Sequence, residues 1–314
     1  TTKTIPNLYQ THTMSAPAPI LCIGSALWDI VAQSSRDLKP GFDVPGRIER
    51  RMGGVALNIA LELAKQGQAV DILSLIGTDA SGNALVEAIK AAGIGTAHLT
   101  RADVATDTYL AVETPDGEVF AAIADCAALE RAGTDVLAPL RNGKIADLSN
   151  GYEGIIIADG NLPTATLEAL LTLSECRKAT FVFAPASPGK AARLAPVIEA
   201  YGGRVYVNKT EAEIILDQDV ASALEGAEAL IARGAVAAIV TDGPRLAAHA
   251  ARGAATITET PPKTVAKTTT GAGDIFLAAH LSAELRGAEP RAALTAAITA
   301  SCNHISGLED SSQC

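Results

Sequence analysis

The strongest constraint on the fold is a rhythm of short apolar runs, each closed by a small or polar residue and followed by a helical pattern. Ile20–Ile23 runs into Gly24, Val70–Ile76 into Gly77, Ile155–Ala158 into Asp159, and Thr180–Ala184 into Pro185. Val205–Val207 runs into Asn208 and Val236–Thr241 into Asp242. Runs this short and this uniformly apolar suit strands covered on both faces, as in a parallel sheet. The segments between them carry helical periodicity at Leu57–Gln66, Gly82–Ala92, Thr164–Arg177, Asp219–Arg233 and Ala272–Leu285. Strands alternating with helices predict an α/β fold, a doubly wound and mostly parallel sheet flanked by helices.

Two regions break the rhythm. Residues 31–50 lack a helical period and carry Pro40, Gly41, Pro45 and Gly46. Residues 106–124 alternate in polarity around Pro115-Asp116-Gly117, a turn signal between two strands. Both predict a small inserted β lid, with lid segments near 31–50 and 104–126. Residues 1–14 read as a disordered or artificial tail, and 15–314 as a single domain, since no linker-like stretch divides them. The segment before Met14 lacks the apolar core of a signal peptide, and no run is long enough to span a membrane. The five cysteines are scattered without a CxxC pair. These features together predict a cytoplasmic chain with free thiols and no membrane partner.

In a doubly wound sheet, ligands sit beyond the carboxyl ends of the strands. The polar residues there include Asp29, Asp159, Asn208, Thr241 and the turn Thr268-Thr269-Thr270. That turn continues as Gly271-Ala272-Gly273-Asp274 into an apolar helix. Small residues leave first-turn amides uncovered, which forms an anion hole, and an acidic residue there can serve as a base. Taken alone, the motif reads equally as a plain helix start with a capping Asp. Gly53-Gly54 with Asn58 reads either as a loop-to-helix junction or as a site of close ligand approach. Asn208 and Glu211, at i and i+3, read as a cap with its acidic partner or as a holder of metal-bound water near phosphates. Asp29 reads as a turn residue or as an acceptor for a diol.

Net charge is −10, without a run of Lys and Arg, so no nucleic-acid partner is expected. Positive potential for any nucleotide has to be built locally, from amides, a metal ion and a few basic side chains. The chain lacks GxxxxGK[ST], HExxH and GxSxG, and GxGxxG does not follow the first strand, which argues against a dinucleotide-dependent oxidoreductase.

In their order and spacing, these motifs resemble the ribokinase-like (PfkB) family of carbohydrate and nucleoside kinases. Asp29, Gly53-Gly54 with Asn58, Ile76-Gly77-Thr78-Asp79, Asn208-x-x-Glu211, Thr241-x-Gly243 and Gly271–Asp274 carry the likeness over residues 18–308. The resemblance implies an ATP-dependent transfer, with Mg2+, to a CH₂OH group of a small-molecule acceptor. It implies Asp274 as base, the amides of Gly271, Ala272 and Gly273 as anion hole, and Glu211 as the metal-side residue. Asn208, Thr241, Gly243, Thr270 and Asn303 map to the ATP pocket. Asp29, Gly53, Gly54 and Asn58 map to the sugar site. Ala158-Asp159-x-Asn161 and Thr106-x-x-Tyr109 resemble the pseudouridine kinase branch, which adds Tyr109, Asp125 and Asp159 as substrate contacts. Other acceptors in view are ribose, fructose-type sugars and adenosine, and a rival of another class is a non-catalytic nucleoside- or ATP-binding regulator. Thr268 stands where many relatives have Asp, which bears on a monovalent-cation site, and Leu27 stands where pseudouridine kinases tend to have Asn. The exposed lid face is a candidate homodimer contact.

Overall fold

A computed structural model describes residues 19–142, 145, 151–265 and 270–308. The expected tail and the Thr268 position lie outside the described residues. Among the described residues the strands are β1 (Ile20–Ile23), β2 (Leu27–Ser34), β3 (Gly46–Gly53), β4 (Val70–Leu73), β5 (Leu75–Gly77), β6 (Thr100–Ala102), β7 (Thr108–Glu113), β8 (Val119–Asp125), β9 (Ile155–Asp159), β10 (Thr180–Ala184), β11 (Arg204–Asn208), β12 (Ala237–Thr241), β13 (Ala247–Ala251) and β14 (Ile257–Glu259).

The main sheet has eight strands in the order β14-β13-β12-β11-β10-β9-β1-β4. From β12 to β4 every pairing is parallel, while β13 and β14 add antiparallel strands at one edge. The alternation of side chains along each strand divides the core in two. Leu21, Ile23, Ile156, Phe183, Val205 and Val240 pack on one face, and Ile20, Cys22, Ile155, Ile157, Val182 and Ile239 on the other. This is why the runs read as uniformly apolar rather than alternating.

A second sheet, β3-β2-β7-β8, forms the lid expected from the two irregular regions. Strand β2 emerges three residues after β1, so the lid is tied directly to the main sheet. Its register sets Asp29 between Arg51 and Tyr109, and Trp28 between Met52 and Thr108. Trp28 is buried, donates its indole N–H to the Ser81 carbonyl at 3.0 Å, and lies under the Arg50 guanidinium, 3.8 Å from the ring centroid. That cation–π contact and the Arg50–Ser81 hydrogen bond fix the root of the lid against the helix Ala80–Ala91.

Three local expectations need correction. The run 70–76 is not one strand: the buried Ser74 interrupts it, and β5 leaves the main sheet to pair with β6. The helix expected from Thr164 ends at Thr172, and a short 3₁₀ turn follows. The helix expected from Asp219 begins only at Ala223, where Ser222 caps it by accepting the Glu225 N–H. The helix Ala272–Leu285 has the expected bounds.

Candidate active site

A cleft of about 740 Å³ opens beyond the carboxyl ends of β10, β11 and β12. It brings together eleven of the residues expected from sequence: Gly54, Asn58, Asn208, Glu211, Thr241, Gly243, Thr270, Gly271, Ala272, Gly273 and Asp274. Residues separated by more than two hundred positions in the chain thus meet at one site.

Gly271 caps the helix Ala272–Leu285 with φ +78°, a left-handed conformation that glycine adopts without a steric penalty. The first-turn N–H groups have no carbonyl one turn earlier to bond, so they are free to hold an anion. A Cβ built on Gly273 would meet nothing within 4 Å, so the space beside this residue is open. Behind the turn, the His304 ring nitrogen lies 2.8 Å from the Thr270 carbonyl, and the Ser301 hydroxyl donates to the Ala272 carbonyl at 3.0 Å. Both residues come from the helix Pro290–Ile305 and hold the turn in place.

Asp274 sits in that first turn, only partly exposed at the base of the cleft. Its Oδ2 accepts a hydrogen bond from Asn58 Nδ2 at 3.0 Å. Burial pushes its carboxyl up to about 7, the Asn58 hydrogen bond opposes the rise, and the charges of Asp159, Glu211 and Asp29 add to it. A carboxyl poised near neutrality beside an anion hole is the arrangement expected of a general base.

Asn208 and Glu211 form a reciprocal capping box at the start of the helix Lys209–Leu216. Asn208 Oδ1 accepts the Glu211 N–H, and Glu211 Oε2 accepts the Asn208 N–H, each at 2.9 Å. Both residues nevertheless line the cleft, so the cap does not remove them from it. Capping engages one oxygen of Glu211 and leaves Oε1 and the Asn208 amide group for a ligand. Burial raises the Glu211 carboxyl, with the Asn208 N–H acting in the opposite sense.

Of the residues expected at the sugar site, Asp29 lies close behind Gly53: a Cβ at Gly53 would come 2.3 Å from its carboxylate. Gly53 is thus required by packing. Burial raises the Asp29 carboxyl against the pull of Arg51. Tyr109 shares the Asp29 face of the lid. Asp125 pairs with Thr108, one register position away, and so falls on the opposite face. The two lid contacts expected from sequence are therefore not brought together.

Asp159 and Asn303 also depart from expectation. Asp159 is fully buried, and its carboxylate accepts from the Ser25 N–H, the Ser25 hydroxyl, the Ala56 N–H and the Asn161 N–H at 2.8–3.0 Å. It is a hub that ties the β1–β2 loop to the helix Val55–Lys65, rather than a group facing the cleft. A Cβ at Gly24 would come 2.3 Å from it, which accounts for that glycine. Asn303 is exposed and off the cleft. The lining stripe of its helix is Ile298, Ser301, Cys302 and Ile305, at i, i+3, i+4 and i+7.

Sequence reasoning missed that stripe, although its spacing was available to find it. It also missed the loop after β10, where Ala186 lines the cleft at φ +69°, unusual for a residue with a side chain. No local signal marks that position.

Comparison with known proteins places this geometry. Residues 18–307 match the model of the pfkB family carbohydrate kinases, so the chain belongs to that family. Among curated proteins, the uncharacterized sugar kinase YeiI of Escherichia coli is 34% identical over 49% of this chain and 41% of its own length. A pseudouridine kinase of Arabidopsis thaliana is 29% identical over 56% of this chain and 44% of its own. The matches thus span less than half of those relatives. A carbohydrate kinase from Agrobacterium tumefaciens superposes with a TM-score of 0.75 at 26% identity, covering 90% of this chain and 89% of its own. Ribokinase from Thermotoga maritima shares the fold at a TM-score of 0.72 and 20% identity, covering 93% of this chain and 94% of its own.

Proposed function

We propose that this chain transfers the γ-phosphoryl group of ATP to the CH₂OH of a ribosyl compound, with pseudouridine the favoured acceptor. The observation that carries the reading is Asp274: a carboxyl raised to about 7, aligned by Asn58, and set in the open first turn of a helix within a nucleotide-sized cleft. Asp274 takes the acceptor's 5′-hydroxyl proton as that oxygen attacks phosphorus. The amides of the Gly271–Asp274 turn hold the transferring oxygens, which need stabilisation most in the transition state. Asp29, Gly54 and Asn58 orient the ribose, and Tyr109 closes over it from the lid. Thr241, Gly243 and Thr270 border the nucleotide.

The residues fit a hard divalent cation such as Mg2+. Glu211 Oε1 and the Asn208 carboxamide offer oxygen and amide groups beside the anion hole, suited to holding the water shell such an ion retains. The cation would neutralise phosphate charge. Pseudouridine kinases at modest identity support the acceptor reading, as does Asn161 two residues after Asp159.

Steady-state kcat/KM with MgATP across pseudouridine, uridine, adenosine, ribose and fructose tests it. Pseudouridine is expected to give the highest value. A higher value on a free sugar would sink the acceptor assignment, and ATP binding without turnover of any acceptor would favour a regulator.

The lid also supports a homodimer. Ile30, Ala32, Ile48, Leu110, Val112, Ala121 and Ile123 share the lid face opposite Asp29 by register, and Ile48 and Ile123 are 74% and 67% exposed. An apolar face of this kind is complementary to its own copy about a two-fold axis. Sedimentation should show a dimer that Ile123→Glu dissociates; a monomeric wild type at micromolar concentration would refute it.

A further inference from the structure

The two contacts from the helix Pro290–Ile305 to the turn before Asp274 have a shared geometry. His304 Nε2 lies 2.8 Å from the Thr270 carbonyl oxygen, and the Ser301 hydroxyl donates to the Ala272 carbonyl at 3.0 Å. A carbonyl can only accept, so the first contact is a hydrogen bond with the proton on Nε2. The imidazole sits directly against the turn: a Cβ at Gly271 would come 3.8 Å from the same nitrogen. Ser301 and His304 are three residues apart, so one face of one helix presents both donors.

Each gripped carbonyl shares a peptide unit with the N–H of the next residue, Thr270 with Gly271 and Ala272 with Gly273. No cis bond occurs among the described residues, and in a trans peptide C=O and N–H point in opposite directions across one rigid plane. Holding the Thr270 carbonyl on His304 therefore aims the Gly271 N–H, and holding the Ala272 carbonyl on Ser301 aims the Gly273 N–H. Both amides are turned away from the helix Pro290–Ile305.

The turn needs this restraint. Gly271 stands at φ +78°, and a glycine backbone has the widest choice of alternatives to that conformation. Thr270 lies outside the helix Ala272–Leu285, whose N-cap carbonyl, on Gly271, accepts from the Ile275 N–H at 3.0 Å. The ladder of that helix thus begins after the Thr270 carbonyl, and His304 supplies what it does not. Donors stabilise a transition state in proportion to how well they are aimed before the reaction begins. Resting on the phosphoryl-transfer reading above, we infer that Ser301 and His304 are positioning residues: each grips one carbonyl and thereby directs the amide of Gly273 or Gly271 at the transferring group.

The test compares wild type, Ser301→Ala, His304→Ala and His304→Gln, whose side-chain amide can still donate to a carbonyl. Losing an oxyanion donor outright costs about 10²–10³ in rate, and a misaimed one less, so each Ala variant should lose about tenfold to hundredfold in kcat. KM for MgATP should stay within about threefold, because the amides act chiefly in the transition state. Affinity for MgADP with aluminium fluoride, a mimic of the transferring group, should fall alongside kcat while affinity for MgADP alone holds. His304→Gln should recover part of both losses. Unchanged kcat in the two Ala variants would overturn the inference. So would a loss of MgADP affinity as large as the loss in kcat, or a kcat loss that tracks a lowered melting temperature and that Gln does not relieve; either would make these residues packing groups only. If His304→Ala does not fold, Ser301→Ala and His304→Gln carry the same comparison. A wild type that ignores pseudouridine defeats only the acceptor assignment, since the comparison then runs on whichever acceptor gives the highest kcat/KM.

Discussion

Replacing Asp274 by Asn should cripple the enzyme and stabilise the protein, and the stabilisation should depend on pH. The folded chain holds the Asp274 carboxyl near 7, against 3.8 in a model peptide. A raised folded value means that the native state keeps a proton which the unfolded state has already released. Stability is therefore highest below the unfolded value, falls as pH rises toward 7, and is level beyond it. The full shift corresponds to about 4 kcal/mol, and water reaching the carboxylate through the cleft mouth lowers the expected figure to about 2–4 kcal/mol. Near pH 5 only the lower part of that window has been crossed, so the cost is under about half as large. Asn is isosteric and keeps an Oδ1 acceptor for the Asn58 amide, so no packing or hydrogen bond is lost by the exchange. Urea denaturation of the ligand-free wild type and Asp274→Asn, near pH 5 and near pH 8, reads the difference directly. Other titrating groups are common to both chains and cancel. The variant should gain more stability near pH 8 than near pH 5, while its turnover falls by about 10²–10⁴-fold. A gain that is equal at the two pH values, or a variant less stable than wild type at both, would refute the claim that Asp274 is held protonated by its surroundings.

The remaining predictions concern the groups around it. Because a base acts only when deprotonated, kcat/KM should decline on the acidic side with an apparent value near 7. Asn58→Ala removes a bond that favours the charged carboxylate, so that limb of the pH–rate profile should move to higher pH; a limb that stays in place would deny Asn58 its role in setting Asp274. Asp159→Ala leaves the Ser25, Ala56 and Asn161 N–H groups without their buried acceptor, and should destabilise the chain by about 3 kcal/mol or more in chemical denaturation. A loss below about 1 kcal/mol would show that water or a rearranged loop satisfies these donors.

What was legible in the sequence was what local pattern encodes. Buried parallel strands leave uniform apolar runs, and six of these were visible before any fold was known. The helix after Gly271 was readable because its apolar run and its glycine start are both local. Asp159 was misread because its partners lie 103 and 134 residues away, and a polar residue at a strand end looks the same whether it faces a ligand or ties loops together. Tyr109 and Asp125 were paired as lid contacts because register cannot be counted from one strand; the pairing of Tyr109 with Asp29 and of Asp125 with Thr108 puts them on opposite faces. Ser74 went unnoticed because one small polar residue does not break an apolar run in composition, although it ends the strand in space. Asn303 was mapped to the ATP pocket by the family resemblance, whereas the stripe that lines the cleft runs through Ser301 and Cys302.

The charge of the site follows from the same reasoning. The chain is acidic overall, and no Lys or Arg appears among the described residues lining the cleft. Glu211 and Asp274 are instead within it, and Asp159 and Asp29 are near enough to raise Asp274. A free triphosphate entering such a cleft would meet net repulsion. The fixed attraction on offer is the open first turn of the helix Ala272–Leu285, where the aligned peptide dipoles amount to roughly half a positive charge. That is too little to hold a nucleotide triphosphate alone, but it is rigid and lies where the transferring group would sit. On the proposed reading the nucleotide therefore binds as its metal complex, with the cation carrying the bulk of the neutralisation beside Glu211. A cation there would also oppose the acidic field on Asp274 and favour its ionised form. Burial and the acidic surroundings thus hold the Asp274 carboxyl near 7 in the cleft, and a cation beside Glu211 would draw it down.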